Sequence, residues 1–154
     1  MSEIKRIEDQ LQRAFEGKAW HGPAVRELLA DVTAAQAAGR PLLNAHSIWE
    51  IALHIATWER VVHRRLQGET VVDLPTEQDW PPVRDTSEAA WRQAVRDLER
   101  ANHDLRVAIA QSTEARLADM APGKDHSVYV MLHGVIQHDL YHAGQIAVLK
   151  KARS

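Results

Sequence analysis

Two histidines near the end of the chain, His138 and His142, have a spacing that suits metal binding. Four residues of α-helix turn through roughly 400°, so both imidazoles lie within about 40° of each other on one face. That face also carries Met131, Val135 and Leu149, which indicates that it points into the core. Two such imidazoles can share one ion, with nitrogen–metal distances of about 2.0–2.1 Å for zinc. Bundles build metal sites from several helices, so a third ligand is expected from a facing helix.

His54 is the best candidate for the third ligand. It lies in the apolar stripe of an earlier helical segment, flanked by Ile51, Ile55 and Trp58. A buried polar group without a partner costs roughly 1–3 kcal/mol, so three buried imidazoles need a partner, which one metal ion would supply to all of them. The alternative is that each ring is an ordinary core histidine, hydrogen-bonded to a backbone carbonyl. The residues by themselves leave both interpretations open.

The string HDLYH, residues 138–142, is similar to the H-E-x-x-H signature of zinc proteases, with Asp139 in place of the glutamate. Asp139 would then orient or deprotonate a water on the metal. The simpler interpretation is a solvated or ion-paired helix residue, because no strand is predicted that could hold a peptide substrate. Gln145 lies almost on the face of His138, and would either hydrogen-bond a bound water or substrate or serve as a packing amide.

The chain has nine histidines, and the others carry weaker predictions. We assign His63, His103 and His133 to solvent-facing surfaces or interfaces. His21 and His46 lie in predicted breaks between helices, from which they could reach the mouth of a metal site.

Apolar residues at helical spacing predict the elements that must position these rings. Ser47 and Glu50 form a capping-box pattern ahead of the segment that contains His54. Residues 69–84 contain three prolines and are interpreted as a long surface connection, which suits a crossover within a bundle. We therefore expect a single domain over residues 1–154: an all-α four-helix bundle with a long crossover connection and an extra or broken first helix. The predicted helical segments cover about residues 3–16, 23–38, 47–66, 85–109 and 126–150.

Composition excludes several classes of function. The chain has no cysteine, which removes disulfides, thiolate nucleophiles and cysteine-type zinc sites. The formal net charge is −2, and basic residues alternate with acidic ones, as in residues 92–100, so nucleic-acid binding is not expected. The first residues lack the apolar segment of a signal peptide, and no stretch is apolar enough to span a membrane. A cytoplasmic location is expected.

Three stretches of the chain resemble one known family. Residues 132–151, LHGVIQHDLYHAGQIAVLKK, strongly resemble the last helix of the DinB-like family (DinB/YfiT-like proteins), and residues 46–66, HSIWEIALHIATWERVVHRRL, resemble its histidine-bearing second helix. Residues 19–29, AWHGPAVRELL, are also similar to family members. The most specific motif is one histidine in the earlier helix followed by H-x-x-x-H and then GQ.

The resemblance implies a four-helix bundle with a long crossover and a divalent metal ion bound by His54, His138 and His142. Zinc or nickel is usual in the family, and homodimers are common. Some relatives are transferases or isomerases that use a low-molecular-weight thiol such as bacillithiol or mycothiol, and many have no established reaction. The family name refers to damage induction and implies no binding of DNA.

Three neutral imidazoles would leave coordination positions open, which a catalytic metal needs. The ion could lower the pKa of a bound water to about 7 or hold a thiol as thiolate. We therefore expect a metal-dependent enzyme, a thiol-dependent transferase or a hydrolase, with Glu50 and Gln145 as candidate pocket residues and any thiol supplied by a small-molecule substrate. The alternative is a protein that binds a metal or small ligand without turnover.

Overall fold

The structure, a computed structural model, describes residues 1–152 and is helical throughout, with no β-strand in that range. Four long helices alternate with short ones. The long helices are α1 (Glu3–Glu16), α4 (Ile48–Leu66), α6 (Glu88–Gln111) and α7 (Val128–Lys151), and the short elements are α2 (Val25–Leu29), α3 (Ala34–Ala38), α5 (Thr76–Asp79) and a 3-10 turn at Glu114–Ala118. The predicted all-α class is confirmed.

Each of the four long helices begins after a serine. The side chains of Ser2, Ser47, Ser87 and Ser127 each accept a hydrogen bond from the backbone N–H three residues further on. Such N-caps stabilise a helix by about 1 kcal/mol, because they satisfy a backbone donor that has no partner within the helix. Of these four caps, only the one at Ser47 was predicted from the sequence. There the Ser47 N–H also donates a reciprocal hydrogen bond to Glu50 at 2.7 Å.

The long helices form a four-membered ring in which α4 packs against α6 and α7, and α1 packs against the same two helices on the opposite side. The starts of α4 and α6 lie in one apolar cluster with the end of α7. Their ends lie in a second cluster with the start of α7. Helices α4 and α6 therefore run parallel, α7 runs antiparallel to both, and residues 67–87 form the predicted long crossover between α4 and α6.

The segment between α1 and α4 is the broken arm that the sequence predicted. The expected single helix over residues 23–38 is divided into α2 and α3, and α2 begins at Val25, two residues after Pro23. Thr33 caps α3 and exchanges hydrogen bonds with Gln36, so a new helix starts where the first would have continued. Helix α2 packs against α7, and α3 packs against α4 and α6.

A layer of buried polar residues separates the two apolar clusters. On α4 it contains Glu59, which lies between residues of the first cluster and those of the second, and His54, which lies beside Ile55 at the edge of the first cluster. On α7 it contains Asp139 and His142, and on α6 it contains Asn102. Buried polar side chains need partners, so this layer is where function is to be sought. Over residues 1–152, no helix combines the length and hydropathy that crossing a bilayer requires.

Candidate metal centre

Helices α4 and α7 bring together the three histidines that the sequence singled out. The Nε2 atom of His138 lies 3.0 Å from that of His54 and 3.1 Å from that of His142. All three possible ligand atoms lie within 4.8 Å of one another. Two nitrogens bound tetrahedrally to one zinc ion at about 2.0–2.1 Å are roughly 3.3 Å apart. The three rings therefore stand close to the spacing that a single divalent ion requires.

Hydrogen bonds on the outer side of two rings determine which nitrogen carries the proton. His54 Nδ1–H donates to the backbone carbonyl of Asp79 at 2.7 Å, and His142 Nδ1–H donates to Oε1 of Gln145 at 2.6 Å. Each acceptor is an oxygen, so the proton of each neutral imidazole is on Nδ1. The Nε2 lone pairs of both rings consequently point into the centre, which is the tautomer that binds a metal.

His138 differs from the other two rings because its outer nitrogen has no acceptor. Its Nδ1 atom is buried without a hydrogen-bond partner. The Oδ1 atom of Asp139 is 4.0 Å away, beyond hydrogen-bonding distance. The side chain of His138 is 25% exposed, more than that of His54 at 7%, so His138 is the less buried of these two rings.

Burial keeps all three imidazoles neutral. Desolvation lowers the pKa of His54 and of His142. It lowers the pKa of His138 to about 3, with a smaller contribution from the neighbouring His142 and His54 rings. A neutral imidazole is a ligand and an imidazolium is not. The cluster is therefore ready to accept a cation at neutral pH without first losing protons.

The crossover supplies residues that the sequence did not connect with the site. Short helix α5 ends at Asp79, whose carbonyl holds His54 and whose carboxylate accepts a 2.7 Å hydrogen bond from the indole N–H of Trp58. The ring of Trp80 stacks on His54, with centroids 3.7 Å apart and planes 4° from parallel. Residues 69–84 are the predicted surface connection, and the sequence did not predict that Asp79 and Trp80 at its centre contact the site. A tryptophan in a polar, proline-rich segment was the available signal.

On its other face Trp80 stacks against His46, with centroids 3.6 Å apart. The Trp80 ring therefore separates His46 from the three-histidine centre, and His46 lies at the edge of the site. The sequence had placed it in a break between helices, from which it could reach the mouth of a metal site. Glu50 lies beside His46, but its carboxylate is bound by the Ser47 N–H and by Arg40. It acts as a helix cap and an ion-pair partner, and it does not belong to the group of possible metal ligands.

Gln145 links the histidine cluster to a surface cavity. The cavity has a volume of about 540 Å³ and a mostly apolar lining. Gln145 forms part of its wall and also accepts the hydrogen bond from His142. Tyr141, which is 66% exposed, lies against the same cavity and against the edge of His142. Glu50 does not belong to this lining.

Behind His138 lies a pair of buried carboxyl groups. Glu59 and Asp139 are both 0% exposed, and Glu59 accepts a 2.7 Å hydrogen bond from the amide of Asn102. Burial raises the pKa of Glu59 to about 7, and burial together with Glu59 raises that of Asp139 well above its usual value. Oε2 of Glu59 and both carboxyl oxygens of Asp139 have no donor, and one proton shared between the two groups would satisfy one oxygen of each. The solvated or ion-paired interpretation of Asp139 is therefore wrong, and its carboxyl lies on the Nδ1 side of His138, away from the centre.

The other histidines lie apart from the cluster. His103 is exposed and His63 is half-buried, as expected for surface residues. His133 packs against Tyr129, and its Nε2 atom is buried. His21 is exposed and lines a different cavity, next to α1.

The donor set fits a divalent metal ion. Three neutral nitrogens converge, and two of them are oriented by hydrogen bonds from their outer atoms to oxygens. Within residues 1–152 the group contains these three side chains and no further histidine, aspartate or glutamate. Imidazole ligands suit zinc, nickel, copper and iron alike. Three protein ligands with an open position form the pattern of a catalytic rather than a structural site.

A family model for the DinB superfamily matches residues 19–146. The matched stretch includes α4, most of α7, the crossover and all three clustered histidines. No curated protein and no solved structure matches the chain.

Proposed function

The chain belongs to the DinB superfamily, and from that premise we propose that His54, His138 and His142 bind one divalent metal ion, zinc or nickel. The observation that carries the proposal is the convergence of three Nε2 atoms at 3.0–3.1 Å. Metal-free, these atoms can be satisfied only in part, because the rings of His54 and His142 have placed their protons on Nδ1. One cation satisfies all three lone pairs at once.

We further propose that the protein is a metal-dependent enzyme, a thiol-dependent transferase or a hydrolase. When bound, the ion supplies Lewis acidity, which favours the deprotonated form of a water or a thiol. The chain contributes the rest: Trp80 and Trp58 shield His54, and Gln145 joins His142 to the 540 Å³ cavity. A cavity of this size suits a small-molecule substrate. Because the chain has no cysteine, a thiol would have to be a second substrate.

Metal content tests the first part of the proposal. The purified full-length protein should contain about one equivalent of zinc or nickel by elemental analysis. His54→Ala, His138→Ala and His142→Ala should each lose most of it, because two imidazoles hold an ion weakly. The exposed His103→Ala variant is the matched control and should retain its metal. Full occupancy in any of the three cluster variants would contradict the assignment of that ligand.

Turnover tests the second part. The metal-loaded protein is offered ester and amide substrates alone, and small electrophiles with and without a low-molecular-weight thiol. Product that forms only with the thiol supports a transferase, and product without it supports a hydrolase. Both activities should disappear in His142→Ala. A fully loaded protein that turns over neither class would favour the alternative, a protein that binds metal or a small ligand without catalysis.

Two further expectations stay predictions. The homodimer implied by the resemblance is tested by sedimentation of the metal-loaded protein. A cytoplasmic location is tested by fractionation of the producing cells.

A further inference from the structure

The His138 ring has an unmet requirement once an ion is held. Its Nε2 lone pair is then directed at the ion, so the ring proton must be on Nδ1. This nitrogen is buried and has no acceptor. The equivalent nitrogens of His54 and His142 already donate to oxygens at 2.7 Å and 2.6 Å. Only His138 lacks the outer hydrogen bond that fixes ring orientation and tautomer.

Asp139 has the complementary need, because its carboxyl oxygens lack a hydrogen-bond donor. It is completely buried, and neither of its carboxyl oxygens accepts a hydrogen bond from an N–H group. Its Oδ1 atom lies 4.0 Å from Nδ1 of His138. A rotation of either side chain that moves these atoms together by about 1 Å would bring them within the hydrogen-bonding range of about 2.7–3.2 Å.

The carboxyl of Asp139 has a second polar neighbour, Glu59, which is held in place by the amide of Asn102 on α6. Glu59 is 0% exposed and cannot move into solvent without unpacking the core. One shared proton can join an oxygen of Asp139 to Glu59, which leaves the other oxygen to accept from the unpartnered Nδ1–H of His138.

Resting on the proposed metal site, we propose that Asp139 is a positioning residue for that site: its carboxyl oxygen accepts the Nδ1–H of His138 and so aligns Nε2 with the ion. Asp139 does not touch the ion or a substrate. It acts through His138, as carboxylates behind metal-binding histidines do when they strengthen binding by about 10–100-fold.

Zinc affinity of the full-length protein, measured by competition with a chelating dye, tests the proposal. Asp139→Leu removes the acceptor and should weaken zinc binding about 10–100-fold. Asp139→Asn keeps an oxygen for His138 and offers its amide to Glu59, so it should bind within about threefold of the natural protein. Glu59→Gln is the matched control, a neighbouring buried carboxyl changed in the same way, and should also stay within about threefold.

A second measurement does not depend on how well the leucine variant folds. In nitrogen-15 spectra of the zinc-loaded protein, the Nδ1–H of His138 should give a strongly downfield, slowly exchanging proton resonance. That resonance should shift in Asp139→Asn and hardly change in Glu59→Gln. A rapidly exchanging proton at this nitrogen would overturn the proposal.

The affinity outcomes separate this proposal from the metal site on which it rests. A natural protein that binds neither zinc nor nickel overturns both. A natural protein that binds zinc, with a folded Asp139→Leu variant of equal affinity, overturns only the role of Asp139. An asparagine variant as weak as the leucine variant also overturns it, since loss of charge rather than of an acceptor would then be the cause.

Discussion

The polar layer of the bundle contains two buried clusters whose polar atoms need partners, and the two clusters obtain those partners in different ways. The imidazoles of His54, His138 and His142 face one another with nitrogen lone pairs, whereas Glu59 and Asp139 face one another with oxygens. Two carboxyl groups can share one proton that bridges them. Three nitrogens converging on one point cannot all be satisfied by a single proton, because a hydrogen bond joins only two of them. The first cluster therefore calls for a metal ion, whereas one shared proton joins the two carboxyl groups of the second and leaves an oxygen of Asp139 able to accept from His138.

Burial shifts the pKa values of the two clusters in opposite directions, and in both clusters it favours the uncharged form. It lowers the pKa of the imidazoles and raises that of the carboxyls, because in both cases the charged form is penalised. Near neutral pH the histidines carry no charge, and the carboxyl pair holds at least part of its proton complement. A divalent ion would be the dominant charge in this layer.

Acidification should produce the largest effect, which is complete loss of metal. Protons compete for the imidazoles only below their pKa values in the folded protein, and these lie below the ordinary 6.5, at about 3 for His138. We therefore expect occupancy to persist at pH 6.5 and to fall at lower pH. Release into a metal-sensitive dye measures this, with circular dichroism to verify that the protein remains folded. A release midpoint at or above 6.5 would mean that the ligands are not these buried rings.

Metal loading should give the next largest effect, on stability. A ligand at 100 times its Kd stabilises the folded state by about 2.7 kcal/mol. For a chain of this length that raises the Tm by roughly 5–10 °C. Thermal unfolding with zinc and with excess chelator measures the difference. His103→Ala should keep the shift and His54→Ala should lose it; a shift that survives in His54→Ala would place the stabilising metal elsewhere.

The carboxyl pair should affect how the free energy of unfolding depends on pH. Folding raises the pKa of Glu59 from 4.5 to about 7, so between these values the folded protein keeps a proton that the unfolded chain has lost. Stability therefore falls as pH rises across this window. Glu59→Gln removes that loss, and should raise the free energy of unfolding by roughly 2 kcal/mol more at pH 8 than at pH 5.5.

Urea unfolding at the two pH values measures the effect of Glu59→Gln. The exposed Glu77→Gln variant is the control and should show no such pH dependence. A Glu59→Gln variant that is equally destabilised at both pH values would mean that Glu59 is not holding a proton in the folded protein.

The stack on His54 should give the smallest effect. Trp80 covers one face of that ring, and aromatic pairs contribute about 0.5–1.5 kcal/mol beyond the area they bury. Trp80→Ala should therefore weaken zinc binding by a few-fold, up to about tenfold. Trp20→Ala is the matched control, because Trp20 is fully exposed and should leave affinity unchanged. Equal zinc affinities in both variants would mean that the stack of Trp80 on His54 does not contribute to metal binding.

Local patterns along the chain were enough to predict the helices, the broken first arm and the pairing of His138 with His142. These features depend on residues within one or two turns of each other, where helical spacing alone decides which side chains share a face. The apolar neighbours of His54 indicated that it faces inward, so it could be named as the third ring before the helices were arranged in space.

The partners of those rings were decided by the packing of distant segments. Asp79 is 25 residues from His54, and Glu59 is 43 residues from Asn102, so no periodicity connects them. Asp139 was expected to be solvated or ion-paired, because aspartate is usually exposed. Its burial follows from the position of α7 between α4 and α1, a fact that exists only once the helices have packed.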